Sequence, residues 1–107
     1  MHDIIPSVRL ANSPEGCTIP LEGFGVAAME PDLLERSIFS ALECGYRFFD
    51  NAPQYGNEEA VGAILSRSGF RREDCFISTK LEGYCHRYRD AINACENSLR
   101  TLGLDYL

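Results

Sequence analysis

The stretch YRFFDNAPQYGNEEAVG, residues 46–62, decides how the rest of the chain is read. It opens with a short aromatic run, Tyr46 to Phe49, of the kind that favours a β-strand. Asp50 follows directly, and a loop carrying Pro53 and Tyr55 leads to Asn57. Asn57 is a good N-cap, Glu58 and Glu59 suit the positive end of a helix dipole, and Val61, Ile64 and Leu65 form a stripe for burial. Gly69 stops that helix. Strand, loop and helix thus follow one another within a single short segment.

Outward in both directions the same unit recurs. Upstream, Pro31 stands where a first helical residue belongs, and Leu34, Ile38, Ala41 and Leu42 fall on one helical face, ended by Gly45. Before it, Leu21 to Val26 reads as a buried strand whose Gly23 and Gly25 invite a close approach. The opening, residues 7–20, reads as a β-hairpin: Val8 to Leu10 and Cys17 to Ile19 flank the turn-rich NSPEG of residues 12–16. Downstream, CFIST (75–79) is a strand, and Tyr88, Ala91, Ile92, Cys95, Leu99 and Leu102 mark a third helical stripe before Gly103. Residues 104–107, LDYL, read as the start of a fourth strand.

Strand starts at 46, 75 and 104 give spacings of 75 − 46 = 29 and 104 − 75 = 29. Regular strand–helix alternation of that length predicts parallel βαβ units with right-handed crossovers, covered by helices on at least one face. An open doubly wound sheet and a (β/α)₈ barrel both satisfy the repeat.

Composition narrows the function classes. The chain has 107 residues, 45% of them hydrophobic and 24% charged, which suits one folded domain at most. The net charge of −6, with no basic run, argues against nucleic acid as a partner. No stretch approaches the roughly 18 apolar residues of a membrane span, and residues 1–10 lack the basic-then-apolar pattern of a signal peptide. Five cysteines, an odd number without a C-x-x-C pair, predict reduced thiols in a cytoplasm and no metal site. Cys85 and His86 are adjacent, and adjacent residues rarely share a metal; both read as ordinary loop and helix-start residues.

In parallel α/β folds ligands lie at the C-terminal ends of the strands. Asp50, Tyr55 and Lys80 all fall there: Asp50 after the strand ending at Phe49, Tyr55 in the loop that follows, Lys80 after the strand ending at Thr79. Asp50 and Lys80 alone also suit a simple ion pair closing the rim. Tyr55 points to chemistry. A free phenol, with a pKa of about 10, is a poor acid near neutrality; a neighbouring ammonium favours the phenolate, and a carboxylate holds the ammonium in place. Such a trio suits protonation of an oxygen that is gaining negative charge, as in hydride reduction of a carbonyl.

FFDNAPQYGNEEAVG (48–62) resembles the F/Y-D-T/N-A-x-x-Y-G-N/S-E segment of aldo/keto reductases. FISTK (76–80) resembles the strand that carries their lysine, LRTLGLDYL (99–107) the stretch before their fourth strand, and the hairpin with GFGV (23–26) their N-terminal plug and first strand. The resemblance implies the N-terminal part of a (β/α)₈ TIM barrel, preceded by a hairpin and incomplete at 107 residues, since such barrels take about 250. It implies reduction of aldehydes or ketones with NADPH, less often NADH. Tyr55 would then be the proton donor, Lys80 would make it more acidic, and Asp50 would hold Lys80 and support the nicotinamide ribose. Backbone around Gly25 and Val26 would line the cofactor site.

The family's fourth catalytic residue, a histidine ending the fourth strand, has no counterpart here: the two histidines are His2, expected in a disordered terminus, and His86. The chain is therefore expected to be a truncated reductase, inactive by itself and binding cofactor weakly if at all. The alternative is a non-catalytic half-barrel module that self-associates through its bare sheet edges.

Overall fold

The computed structural model describes residues 5–13 and 16–107, so His2 and part of the expected hairpin turn lie outside it. The hairpin itself is present: β1 (Ser7–Arg9) pairs antiparallel with β2 (Thr18–Pro20), Val8 opposite Ile19. The chain then alternates: β3 (Phe24–Gly25), α1 (Pro31–Glu43), β4 (Phe48–Asp50), α2 (Glu58–Ser66), β5 (Phe76–Ser78) and α3 (Tyr88–Leu102). The last three strands form one parallel sheet in the order β3-β4-β5, and the parallel pairing of β4 with β5 is the one expected of the strands read at 46 and 75. Their register puts Gly25 opposite Asp50 and Asp50 opposite Ser78, so three strand ends stand level at one rim.

Side chains alternate across this sheet. Phe49 and Ile77 are buried and join Val26 in a core with the helices. Phe48 and Phe76 stand on the other face, in edge-to-face contact with ring centres 5.0 Å apart. Gly23 makes room for them, because a β-carbon there would meet the Phe48 ring at 2.7 Å.

α1 begins at Pro31 and buries Leu34, Ile38, Ala41 and Leu42, the expected stripe. It ends in a paired closure: Gly45, at φ 100°, donates to the Leu42 carbonyl and Tyr46 to that of Ala41. Both bonds satisfy carbonyls that a helix end leaves open, and the left-handed backbone requires a residue such as glycine. α2 buries Val61, Ile64 and Leu65, with Gly62 against the Leu102 carbonyl, where a β-carbon would collide with α3 backbone.

Two expectations need correction. Residues 104–107 form no strand: the chain turns after α3, the Leu104 amide is spent on the Leu99 carbonyl, and Arg72 donates to the Tyr106 carbonyl at 2.8 Å. Arg72 also lies over the Tyr106 ring at 3.8 Å, so the segment is held by a side chain, and a strand exists only through ladder bonds. The second correction concerns α3. Leu102 of its expected stripe is buried, but Tyr88, Ile92 and Cys95 are exposed. The buried face is rotated toward α2 and holds Ser98 and Leu102, because α2 is the neighbouring helix that α3 packs on.

Candidate active site

β4 ends in Asp50, β5 in Ser78, and the loops beyond them carry the remaining groups. Asp50 is the last residue of its strand, one position earlier in the architecture than its sequence suggested. Tyr55 closes a 3₁₀ turn, Pro53–Tyr55, and the chain leaves it through Gly56 at φ 70°. That turn brings the phenol back toward the strand ends.

Lys80 is the hub. Its ammonium donates to Asp50 Oδ2 at 2.7 Å, to the Asn51 carbonyl at 3.0 Å and to Tyr55 Oη at 3.4 Å. Asp50 and Lys80 form an ion pair, and Asp50 Oδ1 accepts from the Ser78 hydroxyl at 2.6 Å. The three residues singled out by sequence therefore meet at one rim, side chain against side chain.

Electrostatics follow this geometry. Burial pushes the Asp50 carboxyl upward, but the hydrogen bonds from Lys80 and Ser78 outweigh it and hold the pKa below the ordinary carboxylate value. Lys80 moves up: its hydrogen bond to Asp50 favours the ammonium more than burial opposes it, and Tyr55 adds to the effect. Each partner thus keeps the other charged across the neutral range.

The two residues expected to line a cofactor separate. Gly25 is exposed, level with Asp50, and a β-carbon on it would meet nothing within 4 Å. Val26 is wholly buried. Its amide donates to the Asp50 carbonyl and its carbonyl accepts from Asn57 Nδ2 at 2.8 Å, so its backbone is spent inside the protein. Gly25 thus leaves open space at the rim, while Val26 is a core residue.

Three residues around the trio carry roles that sequence reasoning did not assign. Asn51 is fully buried and donates from Nδ2 to the Phe49 and Ser78 carbonyls, each at 3.2 Å. Asn57 occupies the cap position of α2 but makes no side-chain cap bond, its amide being turned to Val26. Glu58 is buried and accepts from Thr79 Oγ1 at 2.7 Å and Ser98 Oγ at 3.4 Å. The only signal in the sequence was their position beside strand ends, which Asn57 and Glu58 share with ordinary helix-start residues. His86 is exposed, with Nε2 3.3 Å from the Leu81 carbonyl. Among the described residues no three His, Cys, Asp or Glu side chains gather for a metal ion, and no helix is long and apolar enough to cross a membrane.

The family profile described as aldo/keto reductase matches residues 21–107. An aldo-keto reductase of Mycolicibacterium paratuberculosis is 46% identical over 102 residues, covering 95% of this chain and 35% of that protein. The crystal structure of an aldo/keto reductase from Brucella melitensis superposes with a TM-score of 0.87 at 38% identity, covering 100% of this chain and 40% of that one. The Bombyx mori aldo-keto reductase in complex with NADP gives a TM-score of 0.82 at 32% identity over 98% of this chain and 36% of that one. The chain thus spans about a third of the length of the curated relatives it matches, and its three parallel strands are the N-terminal part of a (β/α)₈ barrel whose sheet is not closed. With this match and the Asp50–Lys80–Tyr55 rim together, the chain belongs to the aldo/keto reductase family.

Proposed function

We propose that this chain supplies the proton-donating side of an NAD(P)H-dependent reduction of aldehydes or ketones to alcohols. The observation that carries the reading is one ammonium, Lys80, meeting Asp50 at 2.7 Å and Tyr55 Oη at 3.4 Å. In this reading Tyr55 Oη passes its proton to the carbonyl oxygen as that oxygen gains negative charge. Lys80 then donates to the tyrosine oxygen left behind, which favours the charge that forms there. Asp50 fixes Lys80, and Ser78 fixes Asp50.

A nicotinamide cofactor, when bound, supplies the hydride for the carbonyl carbon. The rim fits such a group: Gly25 leaves open space beside Asp50 that any side chain would fill, and Asp50 stands there to support a ribose. The Bombyx mori relative holds NADP, so NADPH is the proposed reductant, with NADH the less frequent alternative in the family. Reduced cysteines agree with a cytoplasmic setting.

The 107-residue chain by itself is expected to reduce carbonyls poorly, since it spans 35% of its relative and displacement of reacting groups by about 1 Å costs on the order of 10²-fold. The experiment mixes the chain with a polypeptide covering the remaining length of the Mycolicibacterium paratuberculosis relative. NADPH oxidation with an aldehyde panel should appear in the mixture, stay at least about tenfold lower in the chain alone, and vanish with Tyr55→Phe. A mixture that turns over equally well with Tyr55→Phe would remove tyrosine from the chemistry.

A further inference from the structure

Glu58 is buried to 7% exposure, the one buried charged side chain among the described residues. Of the ion pairs found among those residues, none includes it. Taking a carboxylate out of water is costly unless donors replace the water. The donors found here are two neutral hydroxyls, Thr79 Oγ1 at 2.7 Å and Ser98 Oγ at 3.4 Å. The dipole of α2 does not require a carboxylate in this buried place, because Glu59 offers the same charge from an exposed position in the first turn.

The location of Thr79 suggests what the burial achieves. The β4–β5 ladder ends with Asp50 opposite Ser78, and the last bond across it runs from the Asn51 amide to the Ser78 carbonyl at 2.8 Å. Thr79 is the first residue beyond that ladder, and Lys80 comes next. Lys80 carries its charge on a flexible four-carbon stem, yet its ammonium must meet three acceptors at once. Glu58 stands three residues after Tyr55, at the start of the helix that follows the tyrosine's turn. One carboxylate therefore grips the chain beside both partners of the Lys80–Tyr55 contact.

We infer that Glu58 is a positioning residue, which through Thr79 anchors the end of β5 so that Lys80 reaches Asp50 and Tyr55 together. This rests on the proposed role of the Asp50–Lys80–Tyr55 trio, and it concerns how that trio is assembled.

Lys80 is the only lysine in the sequence, so its side-chain signals can be followed without ambiguity. The test uses the whole chain, labelled at lysine and tyrosine, with no cofactor. NMR follows the Lys80 Cε resonance through an alkaline titration and looks for cross-relaxation between Lys80 and the Tyr55 ring, whose centre lies 5.4 Å from the ammonium. In the unaltered chain Lys80 should titrate above an ordinary lysine and show the contact. Thr79→Val, which removes the hydroxyl at nearly constant volume and no charge, should bring the titration back toward the ordinary value and abolish the contact. Thr79→Ser should restore both. Glu58→Gln, whose amide oxygen still accepts from Thr79, should keep the contact, whereas Glu58→Leu should lose it. If Thr79→Val and Glu58→Leu both retain the Lys80–Tyr55 contact, or if the unaltered chain lacks it, the inference fails. An inactive NADPH mixture alongside the expected NMR pattern would count against the proposed reaction and not against this positioning.

Discussion

α1 and α3 carry apolar stripes of equal regularity in the sequence, yet the protein treats them differently. Leu34, Ile38, Ala41 and Leu42 of α1 are all buried, with Ile38 at 0% exposure. On α3, Ile92 is 41% exposed and Tyr88 83%. The stripes differ in what stands opposite them. α1 lies over β3 and β4 with α2 beside it, and an ion pair from Arg67 to Glu35 at 2.6 Å ties the two helices at the surface. α3 lies beyond the last strand and packs chiefly on α2, through Ser98, Leu102 and the notch at Gly62. Between β5 and α3 runs a groove of about 400 Å³ lined by Ile77, Ala91, Cys95 and Leu107. A periodic stripe thus states which face a helix offers, while burial depends on whether a neighbour exists to take it.

The sharpest way to break this contrast is to truncate one residue from each stripe. Ile38→Ala should cost about 2–5 kcal/mol, since it leaves a cavity in closed packing. Ile92→Ala, on a face still in water, should change stability by no more than about 0.5 kcal/mol. Urea unfolding of both variants decides the matter. Equal losses would mean that the α3 stripe is covered in solution, for instance by another chain.

That alternative leads to the second prediction. Each large apolar side chain left in water forgoes roughly 1.5–3 kcal/mol of burial, and a domain's net stability is only about 5–15 kcal/mol. Tyr88, Ile92 and the exposed Leu107, together with the bare edge of β5, therefore favour association of the isolated chain. Sedimentation across a dilution series should show assembly at high concentration, and Ile92→Lys should move it toward monomer. A cooperatively folding monomer at every concentration would show that the packing of α3 within one chain supports it sufficiently.

The same dependence on neighbours explains what could be read from residues and what could not. The hairpin, the three parallel strands, α1, α2 and the meeting of Asp50, Tyr55 and Lys80 were legible, because each is fixed by local pattern or by the βα repeat. Leu104 to Leu107 reads as a strand by composition, but a strand is made by its partner, and here Arg72 takes the Tyr106 carbonyl. Asn57 has the right chemistry for a cap and is used to hold the Val26 carbonyl across 31 residues of sequence. Glu58 suits a helix dipole and is also the acceptor for Thr79. For Tyr106 and Asn57 a non-local contact overrode a local preference that the sequence states correctly, and for Glu58 it added a second role.

A small effect is also expected at the rim itself, where the Asp50–Lys80 pair is neither as buried as Ile38 nor as free as Ile92. Its side chains are 40% and 45% exposed, so its worth should be in the range of about 0.2–1 kcal/mol. The pH dependence carries its signature. Asp50 is held below the ordinary carboxylate value, so its contribution is present above the unfolded pKa of about 3.9 and is lost as pH falls through the lowered folded value. Lys80 is held above the ordinary lysine value, so its contribution is complete below the unfolded pKa of about 10.4 and is lost as pH rises through the raised folded value. Comparison of the unaltered chain with Lys80→Met by urea unfolding should therefore show a stability gap that is flat across the neutral range. The gap should close at both the acid and the alkaline end, and it should shrink with added salt because the pair is partly in water. A gap that persists in acid, where Asp50 has taken up its proton, would mean that Lys80 stabilises the rim through the Asn51 carbonyl and its own packing, and that the carboxylate is held for chemistry and adds nothing to the fold.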